Sequence, residues 1–235
     1  MLKAIYIKSN LKQLFREPMM ALLFAVPLMI SPLFRLILTY LIPIINRWVE
    51  FDMAPYEIYV LVMALLLTPG MLGIVMGFML LDDKDGKISQ LLSITPLGRS
   101  GYLTMRLFFV VIGTIIYTFY TYALLGIYII STPVLLYLSL LHSIFAATFA
   151  LIFATVATDK VKGLTYAKGL NLILLFALTD LINETWLTNI SYFIPTFWIT
   201  KIALHASVGN ILIGTVVHLL WFALFIFITT RQKSI

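Results

Sequence analysis

The sequence predicts an all-α integral membrane protein with six transmembrane helices. Of its 235 residues, 62% are hydrophobic and 11% are charged, whereas a soluble domain is about half apolar and a quarter charged. The apolar residues form long charge-poor runs, and a span needs about 20 of them because each adds about 1.5 Å across about 30 Å of hydrocarbon. This composition excludes a soluble fold and leaves no room for a soluble catalytic domain.

The first sixteen residues predict a helix that lies along the inner membrane surface. One face would carry the apolar residues Ala4, Ile7, Leu11, Leu14 and Phe15, and a neighbouring face the basic residues Lys8, Lys12 and Arg16. A basic amphipathic helix of this kind lies in the plane of the interface, although a simple topology anchor is an equal alternative. No apolar block ends at a small-residue cleavage site, so we expect no removable signal peptide.

Six charge-poor runs predict the six spans, because backbone polar groups in hydrocarbon must be satisfied within a helix. The predicted spans are residues 19–45, 58–81, 107–130, 134–157, 169–187 and 211–228. The first contains Pro27, Pro32 and Pro43, so a kinked helix is expected. The run from 107 to 158 is too long for one crossing, and Ser131-Thr132-Pro133 marks the turn within it.

The segment 189–206 is apolar and precedes the last span, so it could be a seventh crossing or short helices at the outer face. With the N-terminus in the cytoplasm, Arg47 and Lys201 are the basic residues on outer segments, and almost all others are on inner ones. The positive-inside rule therefore favours six spans with both termini in the cytoplasm. We expect the chain to lie in the cell membrane. Topology and attraction to anionic lipid explain the net charge of +6, so no nucleic-acid partner is expected.

The loop after the second span predicts a short amphipathic helix. Its acidic start favours a helix N-terminus, a small apolar stripe follows, and a Thr-Pro pair ends it. In order, these residues are Asp82, Asp83 and Asp85; Ile88, Leu91 and Leu92; and Thr95 and Pro96. Such a helix would suit a partner protein, but a solvated loop helix has the same pattern.

A longer motif extends from this loop into the third span. It consists of Asp83-Lys84-Asp85-Gly86-Lys87, Leu91-Leu92, Thr95-Pro96-Leu97, Gly98-Arg99-Ser100, Tyr102-Leu103 and Arg106. This motif, with the basic interfacial helix, six spans and an apolar outer segment, resembles the ABC-2-type permeases of type-2 ATP-binding-cassette exporters, including small drug-export permeases. The chain departs from that family in starting the loop with an Asp cluster where Glu is common.

The resemblance implies a permease subunit of an ATP-driven exporter that moves a drug, antimicrobial peptide or lipid-like substrate out of the cell. The loop would be the cytoplasmic coupling helix that contacts ABC ATPase subunits, and a second permease copy or related permease would complete the transporter. The implied coupling residues are Asp83, Asp85, Lys87, Ile88, Leu91, Leu92, Thr95 and Pro96. By the same resemblance, the first and fifth spans and Phe193, Phe197 and Trp198 would border the translocation path.

The chain has no Gly-x-x-x-x-Gly-Lys-[Ser/Thr] phosphate loop, so we expect it not to be an enzyme and to bind no cofactor. ATP and magnesium would then belong to the partner ATPase. The sequence has no cysteine, and His142, His205 and His218 are too scattered to predict a metal site. The sequence has no Ser-His or Glu-x-x-His arrangement of the kind that would indicate a membrane enzyme.

Arg35 lies deep in the first predicted span, where a charge is costly unless it pairs or meets water. It could contact an anionic substrate or lipid headgroup on the translocation path. The favoured alternative is that Pro32 unwinds the helix and Arg35 snorkels or pairs with Asp180 or Glu184. Those two acids are also the candidates for the alternative function, an independent channel or ion-coupled transporter without an ATPase.

Small residues in the second and fourth spans predict close helix approach, either within the chain, which is the more common use, or between two copies. They are Gly73, Gly77, Ser139, Ser143, Ala146 and Ala150.

Overall fold

The computed structural model describes residues 2–49, 52–88, 91, 98–182 and 184–231, and this part of the chain is helical apart from its turns. Six of the described helical segments are long and apolar enough to cross a membrane: Pro18–Ile45, Ala54–Asp85, Gly101–Leu125, Thr132–Val156, Lys160–Ile182 and Val208–Arg231. The predicted fold class, an all-α protein with six spans, is therefore confirmed.

Helix α1, Leu2–Arg16, precedes the first span. Helix α2 begins at Pro18, where proline is favoured because the first N–H of a helix has no intrahelical partner. It runs over Pro18–Leu36 and passes through two internal prolines without a break. The span then continues as a π-helix, Ile37–Leu41, and one α-turn, Ile42–Ile45. The irregular part of this span is thus its second half.

Helices α3, Glu57–Asp85, and α5, Thr132–Val156, form the centre of the bundle. Glycines of α3 permit their close approach. A Cβ atom at Gly73 would lie 2.7 Å from the carbonyl oxygen of Ala146, and one at Gly77 would lie 2.6 Å from the ring of Phe153. The small residues of the second span therefore serve packing within the chain, as favoured from the sequence.

Helix α4, Gly98–Leu125, and the later helix α9, Val208–Arg231, pack on this centre. The third span was predicted over 107–130, but α4 begins earlier and ends at Leu125. Gly126 follows with a φ of 55°, a left-handed conformation that favours glycine. Ser131 then has an extended backbone and Pro133 lies in the first turn of α5.

Helix α6, Lys160–Asn171, continues as a 3-10 segment, Leu172–Leu178, and one α-turn, Thr179–Ile182. The helix that carries the fifth candidate span therefore begins at Lys160, whereas the predicted span begins at residue 169. Two short helices follow, α7, Thr185–Ser191, and α8, Pro195–Leu204. With 10 residues, α8 is too short to cross a bilayer, so the segment 189–206 is not a seventh span.

One end of the bundle gathers α1, the first residues of α2, α4 and α6, and the last residues of α3. Polar contacts from Gln13 to Asp83 and from Glu17 to Lys160 join these segments. We refer to it as the α1 end. The described residues that follow α3, 86–88 and 91, lie there too, because they directly continue its last residues.

Candidate coupling site

A buried polar cluster joins three helices at the α1 end. Asp83, near the end of α3, forms an ion pair with Arg106 of α4, and the Arg106 guanidinium also donates to Asn10 of α1. Its second amino group lies 2.8 Å from Oε1 of Gln13. The Tyr102 hydroxyl donates to Asp83. We call Asn10, Gln13, Asp83, Tyr102 and Arg106 the Arg106 cluster.

Helical spacing explains how this cluster forms. Tyr102 and Arg106 are four residues apart on α4, and Asn10 and Gln13 are three apart on α1, so each pair shares a helix face. The planar guanidinium presents several donors at once to these acceptors. Asp83 is 0% exposed and Arg106 is 8% exposed, and charges so deeply buried require partners of this kind. The cluster therefore fastens α1 and the start of α4 to the end of α3.

A second charged cluster lies next to the first. Lys160, at the first position of α6, contacts Glu17, between α1 and α2, and lies 2.7 Å from the Asp82 carboxylate. These side chains are partly exposed, so their pairing is screened more than that of Asp83 and Arg106. The neighbouring residues Asp82 and Asp83 thus bind partners on different helices. Together the two clusters connect the end of α3 to α1, to α4, to α6 and to the junction between α1 and α2.

Asp159 starts α6 and so positions Lys160. Its backbone is extended, and its carboxylate accepts the backbone N–H of Lys162 at 2.9 Å, which is the geometry of a helix N-cap. This hydrogen bond is the main reason why the pKa of the Asp159 carboxyl lies below its ordinary value. Asp159 therefore remains a carboxylate, which stabilises the helix start, even in mildly acidic solution.

The described part of the loop presents apolar side chains at the surface. Helix α3 ends at Asp85, and Lys87 has a left-handed backbone with a φ of 54°. Ile88 is 39% exposed and Leu91 is 62% exposed. Both side chains follow the end of α3 at the α1 end, and their coupling role stays a prediction. The exposed Asp85 and Lys87 also face the surroundings.

The structure places the other predicted coupling residues differently. Asp83 belongs to the Arg106 cluster, so its carboxylate is not available to a partner protein. Leu92, Thr95 and Pro96 lie outside the described residues. A cavity of about 260 Å³ is lined by Ile88 and by the whole Arg106 cluster.

Arg35 does not pair with either acid proposed for it. Its guanidinium donates to the carbonyl oxygen of Leu125, in the last turn of α4. Among the described residues, Asp180 instead forms an ion pair with Lys201 at 2.9 Å, and no ion pair joins Arg35 to Glu184. The last carbonyls of a helix lack intrahelical donors and carry partial negative charge. Arg35 supplies a donor and a positive charge to the last turn of α4. The sequence interpretation did not consider this role.

The three aromatic residues predicted to border a translocation path do not form one surface. Phe197 and Trp198 are 1% and 3% exposed, with ring centroids 5.5 Å apart, and they belong to the core. The Trp198 indole donates to the carbonyl oxygen of Tyr192 at 2.9 Å. Phe193, by contrast, is 74% exposed. In this structure Phe197 and Trp198 therefore offer no accessible surface to a path.

Sequence reasoning missed several members of the two clusters. Asn10, Gln13, Glu17 and Lys160 were not selected, because their roles depend on how α1 packs against the bundle. One signal was present in the sequence: Glu17 is an acid within a basic N-terminal segment and lies directly before a predicted span. An isolated acid at such a position indicates an ion pair with a neighbouring helix.

Comparison with known proteins gives one family and two relatives. The sequence model of the family described as "Fluoroquinolones export permease protein Rv2686c-like" matches residues 10–228. Two proteins from strains of Mycobacterium tuberculosis, the fluoroquinolones export permease proteins MT2760 and Rv2686c, are each 25% identical over 205 residues. The alignment covers 84% of this chain and 80% of each relative. No solved structure matches.

Proposed function

This chain belongs to the Rv2686c-like family of fluoroquinolones export permease proteins, and we propose from this premise that it is the permease subunit of an ATP-driven drug exporter. The match to residues 10–228, which includes all six candidate spans apart from the last residues of the sixth, carries the proposal. The names of the two relatives favour a drug over a peptide or lipid as the exported substrate. The exporter would belong to the ABC-2 type.

Energy would come from separate ABC ATPase subunits that bind ATP and magnesium. This part of the proposal rests on the loop motif and on the exposure of Ile88 and Leu91 at the α1 end. The α1 end would face the cytoplasm, because the basic residues Lys12, Arg16, Lys160 and Lys162 are concentrated there. Two permeases, identical or related, would form the complete transporter in the cell membrane.

The two clusters offer a route by which the ATPases could move the permease. A force on the loop acts directly on the end of α3 and the start of α4. The Arg106 cluster binds both helices to α1, and the second cluster, formed by Glu17, Asp82 and Lys160, adds α6. These segments would therefore move together. Packed and paired elements of this kind shift as rigid bodies rather than deforming gradually.

The test is recovery of the ATPase with the tagged permease after gentle extraction from the native membrane. We expect the wild type to retain stoichiometric ATPase, and Leu91→Asp to lose most of it. Loss of an interface anchor costs about 2 kcal/mol or more, equivalent to roughly thirtyfold weaker binding. Val161→Asp is the matched control, because Val161 is 78% exposed at the same end of the bundle but on α6.

Transport is measured in the same variants as drug accumulation in whole cells. Leu91→Asp should raise accumulation to the level of cells without the permease, and Val161→Asp should not. Normal export by Leu91→Asp would remove the coupling role of the loop. Export by the wild type without any ATPase in the intact complex would instead indicate an ion-coupled transporter or channel.

A further inference from the structure

Helix α1 has different chemistry on each of its sides. Asn10 and Leu14 are 3% and 0% exposed and face the bundle. Leu11 and Phe15 lie on the next side, and Phe15 is 65% exposed. Lys12 and Arg16 lie on a third side, next to that of Leu11 and Phe15, and both are exposed. Residues four apart share a side of a helix, so α1 presents an apolar edge and a basic edge next to each other, away from the bundle.

The apolar edge borders a groove between α1, α2 and α4. The groove has a volume of about 210 Å³ and is lined by Leu11, Phe24, Phe109, Ile112, Gly113, Ile116 and Tyr117. The Phe15 ring lies 6.4 Å from that of Phe24, so the exposed edge of α1 continues into the groove. The Tyr117 hydroxyl, the polar side-chain group of the lining, donates to the Phe24 carbonyl oxygen at 3.1 Å. The groove therefore offers an almost completely apolar surface.

The basic edge has no counterion within the described part of the chain. Neither Lys12 nor Arg16 forms an ion pair with another described residue. The nearest acid in sequence, Glu17, contacts Lys160 instead. Lys12 and Arg16 are thus available to an anion next to the apolar edge.

The location of the groove relative to the membrane indicates which kind of ligand it would bind. Phe24 and the groove residues of α4 lie within candidate spans, where the surroundings are acyl chains, whereas α1 precedes the first span. An apolar groove within the hydrocarbon and two cations beside it match an acyl chain and a phosphate. We propose that this groove is a binding site for an anionic phospholipid, with one acyl chain below Leu11 and the phosphate against Lys12 and Arg16. Each basic side chain near a membrane surface contributes roughly fivefold to the affinity for anionic lipid.

The experiment is photo-crosslinking of lipids to the full-length protein in nanodiscs. Phosphatidylglycerol and phosphatidylcholine carry the same diazirine acyl chain, and pepsin peptides are mapped by mass spectrometry. We expect phosphatidylglycerol to label residues 109–117 about 25-fold more than phosphatidylcholine does, because two basic side chains each contribute roughly fivefold. Labelling of α9, whose outer surface is in general contact with lipid, should not differ between the two lipids.

Two variants test the two parts of the site. Gly113→Phe fills the groove, since a Cβ there meets Leu72 at 3.6 Å and is otherwise in open space, and it should abolish labelling by both lipids. Gly169→Phe is its control on α6, where an added Cβ meets no atom within 4 Å. Lys12→Gln with Arg16→Gln should reduce phosphatidylglycerol labelling to the phosphatidylcholine level. Lys162→Gln with Lys168→Gln removes the same charge elsewhere and should have no effect.

Equal labelling of residues 109–117 by the two lipids would overturn the proposal. So would labelling of α9 by phosphatidylglycerol as strong as that of the groove, because ordinary contact with bulk lipid would then explain both. The wild-type protein alone decides these outcomes, so they hold even where a variant does not insert. Since the readout is lipid binding, the result is also independent of whether an ATPase drives the protein.

Discussion

Asp83 and Arg106 form an ion pair that fastens the end of α3 to the beginning of α4, on the two sides of the same loop. Both residues are buried, and Tyr102 and Asn10 complete their hydrogen bonds. Any partner that moves the loop must therefore move both spans and α1 with them. This arrangement makes the pair a structural link as well as a means of neutralising two buried charges.

We expect Asp83→Asn to destabilise the protein by about 3–5 kcal/mol, because it leaves the buried charge of Arg106 without its counterion. The double variant Asp83→Leu with Arg106→Met should recover part of this loss, since no charge is then buried but Asn10, Gln13 and Tyr102 lose these partners. Thermal unfolding in detergent, followed by tryptophan fluorescence, measures both. Asp85→Asn is the exposed control and should have little effect. A double variant as unstable as Asp83→Asn would show that the unpaired charge of Arg106 is not the cause of the destabilisation.

The sequence was sufficient for the six spans, because length and hydropathy decide which segments cross a membrane. It was not sufficient for the start of α6. Lys160, Lys162 and Lys168 suggested an inner loop there, whereas the helix begins at Lys160. Two features explain the longer helix. Asp159 caps it, and Gly163 allows it to pack on Phe153, since a Cβ at that glycine would lie 2.7 Å from the ring.

The motif predicted a coupling role for the loop, and that role stays a prediction. The exposure of Leu91 agrees with a surface position, but the arrangement of the acidic residues beside the loop could not be predicted from the sequence. Among Asp82, Asp83 and Asp85, however, no local pattern indicated which carboxylate is buried. That depends on the placement of α1, whose Asn10 and Gln13 reach Arg106 across a separation of more than ninety residues in the sequence. Hydrogen bonds between residues so distant leave little trace in one sequence.

Close packing of α3 on α5 predicts that Gly73 does not tolerate a larger residue. In Gly73→Ala the new Cβ would lie 2.6 Å from Cβ of Phe149 and 2.7 Å from the Ala146 carbonyl oxygen. Because the second contact is with backbone, the helices must move apart, and we expect a loss of about 1–3 kcal/mol. Gly169→Ala should be neutral or slightly stabilising, since it meets no atom within 4 Å and alanine favours helix. Equal melting temperatures for the two variants would contradict the packing.

The contact between Arg35 and Leu125 predicts a structural effect at the end of α4. Arg35→Ala leaves the last turn of α4 without this donor, and we expect a loss of about 1 kcal/mol. Arg47→Ala, at an exposed position, serves as the control. Thermal unfolding and drug accumulation are measured together. Loss of export with unchanged stability would favour a substrate contact instead, and no change in either would show that Arg35 has neither role.

The cap at Asp159 predicts a stability difference that depends on pH. The pKa of this carboxyl is lowered from 3.8, mainly because the folded protein donates the Lys162 N–H to the carboxylate. A lowered pKa means that the folded state favours the charged form, so the stabilisation is complete above pH 3.8 and is lost as the pH falls through the folded pKa.

Asp159→Asn keeps a cap but cannot ionise, so it provides the reference for this effect. We expect wild type to melt above Asp159→Asn at neutral pH, and the two curves to converge as the pH falls below 3.8. Hydrogen exchange at the Lys162 amide should follow the same course, because that N–H is the donor to the cap. A difference that stays constant down to low pH would assign the effect to shape rather than charge. Convergence would identify the Asp159 carboxylate as the group that starts α6 and holds Lys160 against Glu17 and Asp82.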